Sequence, residues 1–321
     1  MTFFVTGGSG FLGSSFVSRL VRNNKKVIVY DDFSRGSLKK IKTIKNKVKI
    51  VDGDVRDEKK ILLESKGCDY FFHFAAINGT EFFYKKPQEV LDVAIRGVLA
   101  GIESSVKNNI KNFFLASSSE VYQTPKVIPT PENAELIIPD VFNSRYSYGG
   151  GKIASELICL NYYKSFFEKM IIFRPHNVYG PDMGNEHVIP QLILNSYRAF
   201  QNNENFIEIR GDGKQTRSFI YIEDFTDCLF KIFEKGKTRN IYHIGNLDEI
   251  SVEILLKKIH SILKLNLKIF KTKEPDGETN RRCPDIKKIT KLGYKQTVSL
   301  EEGLLNVIKW YIAHHFGKRL K

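Results

Sequence analysis

Tyr148 and Lys152 stand four positions apart in the run Tyr-Gly-Gly-Gly-Lys, so a helix would project phenol and ammonium from one face. In that arrangement the ammonium lowers the pKa of the phenol and favours a phenolate able to take a proton from a substrate hydroxyl. Each of the three intervening glycines costs a helix about 0.8–1 kcal/mol relative to alanine. Close approach of the backbone to a bulky ligand is the simplest reason for them. Upstream, Ser117-Ser118-Ser119-Glu120 closes a short apolar run. Glu120 reads equally as an acid–base group and as a structural acceptor for loop backbone.

A second constellation lies at the N-terminus. Gly8-Ser9-Gly10-Phe11-Leu12-Gly13 fits G-x-G-x-x-G, and Gly7, Gly10 and Gly13 fit the wider G-x-x-G-x-x-G spacing. It falls between an apolar run at 2–6 and a helical pattern from Phe11, the context in which a backbone turn can approach a pyrophosphate at a helix N-terminus. Asp31 follows at the end of the second apolar run, where a carboxylate accepts bonds from a ribose diol. Together with Asp32 it repels a 2′-phosphate, so NAD is expected rather than NADP. Arg35 is the neighbour that argues the other way. Asp54-Val55 follows the third run, with Asp54 read either at the adenine edge or as a helix cap.

Positioning these residues requires a framework, and the chain supplies alternation. Short β-branched and aromatic runs at 2–6, 26–30, 48–51, 69–74, 112–117 and 170–173 are interleaved with helical periodicity at 11–21, 90–106 and 154–167. This predicts an α/β fold with a doubly wound parallel sheet of Rossmann type, buried on both faces, with its ligand at the carboxyl ends of the strands. Residues 1–174 form the expected dinucleotide-binding domain, rejoined by about 219–245. Residues 175–321 form a smaller α/β substrate domain, with helices over 188–202 and 222–234, from Val252, and over 300–313.

Composition narrows the function classes. The 321 residues carry 50 Lys plus Arg against 36 Asp plus Glu, a net charge of +14. The basic residues are scattered, with no block of five or more like charges, so a solvated surface is expected rather than a nucleic-acid interface. Apolar runs fall far short of the ~20 residues of a membrane span. The terminal GKRLK reads as a basic helix end complementing the dipole. Cys68, Cys159, Cys228 and Cys283 contain no C-x-x-C pair and read as buried thiols. His176 and His187 lack an evident third ligand, so no metal is expected. The opening MTFFVTGGSG shows no basic leader, and a cytoplasmic protein is expected.

Nine segments in order carry a resemblance: TGGSGFLG (6–13), YDDFSRG (30–36), GDVRD (53–57), HFAA (73–76), SSSEVY (117–122), YGGGK (148–152), RPHNVYGP (174–181), GDGKQTRSFIYIEDF (211–225) and RRCPDI (281–286). Over nearly its whole length the chain resembles the extended short-chain dehydrogenase/reductases of the sugar-nucleotide epimerase/dehydratase family. The resemblance implies Tyr148 as general base, Lys152 on the nicotinamide ribose and Ser118 on the reacting sugar hydroxyl. It implies NAD held by Gly7, Gly10, Phe11, Leu12, Gly13, Asp31, Asp32, Asp54, Val55 and Ala75, together with Tyr148 and Lys152. It implies a nucleoside-diphosphate sugar held by Asn78, Ser118, Ser119, His176, Asn177, Val188, Arg217 and Arg282. Two separated arginines suit a pyrophosphate, and their alternative is ion pairing with Asp224 or Asp285.

Three residues depart from the family pattern. His176 stands where phenylalanine is usual, Ala94 where asparagine is frequent, and Asn78 where galactose-type epimerases often carry lysine. The shared reaction passes through a 4-keto sugar, and 4-epimerisation is expected ahead of 4,6-dehydration, decarboxylation or net oxidation. A catalytically silent NAD-sensing protein is the reading from another class. Apolar positions Val90, Val98, Ile153, Leu157 and Leu160, on helices beginning near Pro87 and Tyr148, predict a homodimer through a four-helix bundle.

Overall fold

The computed structural model describes residues 1–272 and 279–318. Six strands open the chain: β1 Thr2–Thr6, β2 Lys26–Asp31, β3 Lys49–Asp52, β4 Tyr70–His73, β5 Asn112–Ala116 and β6 Lys169–Pro175. A seventh, Asn240–Ile244, pairs parallel with β6, so the sheet runs β3-β2-β1-β4-β5-β6 and then this strand. Every pairing in it is parallel. All six expected strands lie in this sheet, and the doubly wound α/β class is the one observed.

The aromatic content is spent in the sheet. Phe72 and Phe114 are register partners on β4 and β5, with ring centroids 4.3 Å apart and planes within 5°. Phe3 stacks on Tyr70 of β4 at 4.8 Å, and Phe16 reaches Phe72 from the helix above at 4.5 Å. Such cross-strand pairs add to simple burial and hold the strand ends in register where the site is built.

The flanking helices are α1 Phe11–Arg22, α2 Glu58–Glu64, α3 Thr80–Lys85, α4 Pro87–Lys107 and α5 Ser147–Asn161. The last begins seven residues before, and ends six before, the expected 154–167 span. Its glycines explain the difference. A Cβ on Gly151 would stand 2.9 Å from the Cβ of Ala94 on α4, and one on Gly149 would stand 2.6 Å from Gln123 Nε2. The triplet therefore lets α5 press against α4 and the preceding turn, and the expectation that it clears space for a ligand is replaced by helix packing. Ala94, the small residue at an asparagine position, is part of that contact. Val90 and Val98 are buried within the chain, whereas Leu157 is exposed.

Beyond β6 come α6 Val188–Gln201, α7 Ile222–Lys235, α8 Val252–Leu263 and a last long helix, Leu300–Phe316. Helix α7 packs on α1, and the last helix packs on α6 and α8. A small sheet sets Thr216–Ser218 between Glu249–Ser251, antiparallel, and Arg281–Arg282, parallel. Residues 319–321 of GKRLK lie outside the described residues. Among the described residues, no helix is long and apolar enough to cross a membrane.

Candidate active site

The glycine turn joins β1 to α1 at the carboxyl edge of the sheet. Gly7 holds φ +66°, a conformation that L side chains rarely adopt, and a Cβ there would meet Ala75 N at 2.7 Å. Gly13 presses α1 onto the same turn, since its Cβ would lie 2.1 Å from Gly7 O. Gly10, the N-cap, is crowded by the Gly7 carbonyl alone, at 3.2 Å. The first turn of α1 carries no acidic residue. Its amide groups therefore face an open groove of about 520 Å³, lined among others by Gly7, Gly10, Phe11, Leu12, Gly13, Asp31, Asp32, Val55, Ala75, Asn78, Tyr148 and Lys152.

Asp31 is buried and accepts Ser9 N at 2.9 Å and Phe33 N at 3.0 Å. Burial raises its pKa, and those bonds work against the rise. Asp32 caps its own turn through Ser34 N at 3.0 Å. Arg35 pairs with Glu186 and lies 4.6 Å from the centroid of the Phe82 ring, so its guanidinium is already engaged. Asp54 goes elsewhere. Its carboxylate holds Arg56, which also reaches Asp92 at 3.0 Å, and the cap of α2 is Asp57, accepting Lys60 N at 3.1 Å. The turn, the open helix N-terminus and the buried carboxylate opposite fit a dinucleotide of the NAD type.

Tyr148 is buried and stacked on Phe83 at 5.0 Å. Burial pushes its pKa well up, its hydrogen bond to Ser118 works the other way, and the charge of Glu120 adds to the rise. Lys152 donates to Ala116 O at 2.7 Å, with Nζ 5.8 Å from the Tyr148 ring centroid. Burial brings its own pKa down to about 8. The expected depression of the phenol by Lys152 is thus corrected, because burial outweighs a cation whose bond goes to backbone. What adjoins the phenol oxygen is the Ser118 hydroxyl.

Glu120 sits between two arginines. Arg282 Nη1 donates to it at 2.7 Å and Arg145 Nη2 at 3.2 Å. Burial alone would raise its pKa, but the two guanidiniums bring it down to about 2. At neutral pH this is a held carboxylate anion, not a poised acid. Arg282 also donates to Thr279 Oγ1 at 3.0 Å and stands opposite Arg217 in the small sheet. The alternative pairs with Asp224 and Asp285 do not form. Asp224 accepts Thr297 N at 3.0 Å and Val298 N at 3.2 Å, and Asp285 pairs with Lys287 at 3.2 Å. Arg217 Nη1 donates to Thr216 O at 2.8 Å.

The remaining expected residues are placed around this cluster. Ser119 is buried in the turn Ser119–Tyr122. His176 is buried edge-on to His243 at 4.6 Å, and its two nitrogens have no partner among the described residues. Asn177 Nδ2 donates to Ser218 O at 2.9 Å. Asn78 Oδ1 accepts Gly79 N at 2.9 Å, and Val188 opens α6.

Two groups were missed in the sequence. Arg145 is buried three residues before Tyr148, a place where a basic side chain calls for an anionic partner. Arg174 is buried at the end of β6, donating to Glu156 at 2.6 and 2.8 Å and to the Tyr122 hydroxyl. The four-residue step from Lys152 to Glu156 was the available signal.

A family model described as the NAD dependent epimerase/dehydratase family matches residues 3–245. The UDP-N-acetyl-alpha-D-glucosaminuronate decarboxylase of Bacillus cytotoxicus is 30% identical over 319 residues, 96% of each chain. The dTDP-D-glucose 4,6-dehydratase of Homo sapiens is 30% identical over 323 residues, 96% of this chain and 89% of its own. The crystal structure of UDP-glucose 4-epimerase with UDP-glucose from Thermotoga maritima superposes with a TM-score of 0.84 at 26% identity, covering 97% of this chain and 98% of that one.

Proposed function

The chain belongs to the NAD-dependent epimerase/dehydratase family, and from that premise we propose that it interconverts the 4-epimers of a nucleoside-diphosphate sugar. It is an NAD-dependent enzyme of nucleotide-sugar modification. The observation that carries the finer reading is the state of Glu120. Clamped by Arg145 and Arg282, with its pKa near 2, it has no proton to give at neutral pH. A dehydratase needs an acid and a base besides the tyrosine, whereas a 4-epimerase can use one group in both directions.

Tyr148 is that group. As a phenolate it takes the proton of the sugar 4-hydroxyl and returns it to the same oxygen, inversion coming from presentation of the opposite face of the 4-keto sugar, with the Ser118 hydroxyl aligning the two oxygens. Burial raises the pKa of the resting phenol, so the phenolate depends on the positive charge that bound NAD⁺ would bring beside it. Lys152, fixed by Ala116 O, lines the groove and would hold the nicotinamide ribose. The glycine turn and the start of α1 would hold the pyrophosphate, and Asp31 the adenosine ribose. Bound NAD⁺ supplies the hydride acceptor for the C4 hydrogen.

One observation favours a second reading. Two guanidiniums converging on a carboxylate form a site that could take a substrate carboxylate in place of Glu120. A C6 carboxylate in a 4-keto sugar is a β-keto acid and leaves as carbon dioxide. Incubation with UDP, dTDP, GDP and CDP hexoses and their uronic counterparts separates the two by NMR of the product. Inversion at C4 without mass change supports epimerisation; loss of carbon dioxide or of water overturns it. Exposed Leu157, with Leu91 on α4, supports a homodimer across these helices. A monomer in sedimentation at micromolar concentration refutes that assembly.

A further inference from the structure

Gln123 closes the turn that carries Glu120, with φ 50° and ψ −99°. That positive φ is uncommon for a residue with a side chain, and the pair lies outside the left-handed helical well. Gln123 is buried, its carboxamide Nε2 donates to Glu120 O at 2.6 Å, and Oε1 has no partner among the described residues. A strained backbone and an unsatisfied buried oxygen are both unfavourable, and such features persist where the surrounding structure or the function requires them.

Its contacts say what that requirement is. The Gln123 carbonyl accepts Thr279 Oγ1 at 2.9 Å, and the same oxygen of Thr279 receives Arg282 Nη2 at 3.0 Å. On the other side, Nε2 would lie 2.6 Å from a Cβ on Gly149, the residue after Tyr148. Gln123 thus bonds the turn bearing Ser118 and Glu120 through its carboxamide and the segment bearing Arg282 through its backbone carbonyl, and its carboxamide packs against the start of α5 bearing Tyr148.

We propose that Gln123 is a positioning residue that holds the Ser118 turn against the first turn of α5, so that the Ser118–Tyr148 hydrogen bond stays aligned for proton transfer. The role rests on the sugar reaction proposed above. Gln123→Gly accepts the φ without strain and removes the carboxamide. The expected result is a melting temperature equal to or above that of the native chain, NAD affinity within about twofold, and kcat lowered about 10- to 100-fold at nearly constant KM. Gln123→Asn keeps a shorter carboxamide and should lie between the two.

A glycine variant with native kcat, or one that melts several degrees lower, overturns the proposal. Melting reads the strain without any substrate, while native turnover reads the reaction. A native enzyme inactive on every sugar therefore sinks the sugar reading. An active native enzyme with an equally active glycine variant sinks the role of Gln123.

Discussion

Glu120 and Arg282, 162 residues apart in the chain, meet at 2.7 Å. Arg282 is thereby held beside the turn Ser119–Tyr122 while Arg217 stands opposite it in register. The pair fixes how the segment that carries Arg282 sits on the turn Ser119–Tyr122, and it sets the charge state of a carboxylate whose charge acts on Tyr148.

The acid limb of stability follows from it. The Glu120 pKa is about 2 in the fold against an ordinary 4.5. A depressed carboxylate contributes stability that is complete above the unfolded value and is lost as pH falls through this window. Glu120→Gln should destabilise by about 1–3 kcal/mol at pH 7, and the gap from native should narrow as pH falls to about 3. Urea unfolding at the two pH values checks it; a gap independent of pH speaks against the ion pair.

Lys152 predicts a rise of the same sign at high pH. Its pKa is about 8 in the fold and 10.5 ordinarily, so between these values the unfolded chain binds the extra proton and stability rises with pH. Lys152→Met should abolish that rise. Denaturant midpoints taken across the alkaline window for both proteins decide the matter, and parallel curves would remove Lys152 as the cause.

The glycines of α5 are packing residues. Gly151→Ala brings its Cβ to 2.9 Å from that of Ala94 and should destabilise by about 1–3 kcal/mol. Ala94→Gly in the same chain should recover part of that loss, as expected of two residues in contact. If Gly151→Ala instead leaves stability untouched and raises the NAD requirement, the glycine serves the ligand.

The proposed basis of cofactor choice is Asp31 together with an Arg35 already paired to Glu186. Asp31→Asn should weaken NAD binding about tenfold through loss of a charge-assisted bond. Glu186→Gln, which releases Arg35, should improve NADP binding when added to it. Isothermal titration with both dinucleotides tests this. NADP binding indifferent to Glu186 would show that Arg35 has no part in the choice.

The strands and the glycine turn were legible because their signals are local: alternation of apolar runs, and three glycines at fixed spacing before a helix. Asp31 was legible for the same reason. Of the two readings of Asp54, the helix cap falls to Asp57, because Arg56, two residues on, takes the Asp54 carboxylate. The helix beginning near Tyr148 was legible from the Tyr148–Lys152 step, whereas the periodic span 154–167 began late because glycine weakens the helical signal, and Ala94 and Gln123, which make glycine necessary there, are distant in the chain. The Glu120–Arg145–Arg282 clamp joins three segments and leaves no periodic trace. The effect of Lys152 on Tyr148 was misjudged because spacing gives neighbourhood but not burial.

The most direct measurement is a single turnover of the purified enzyme loaded with NAD⁺, following reduced nicotinamide after mixing with its nucleotide sugar. The native enzyme should show a transient of reduced cofactor that decays as the epimer forms. Tyr148→Phe, binding NAD⁺ equally well, should form it at least ~100-fold more slowly. A transient of equal rate and amplitude in both proteins would contradict the account.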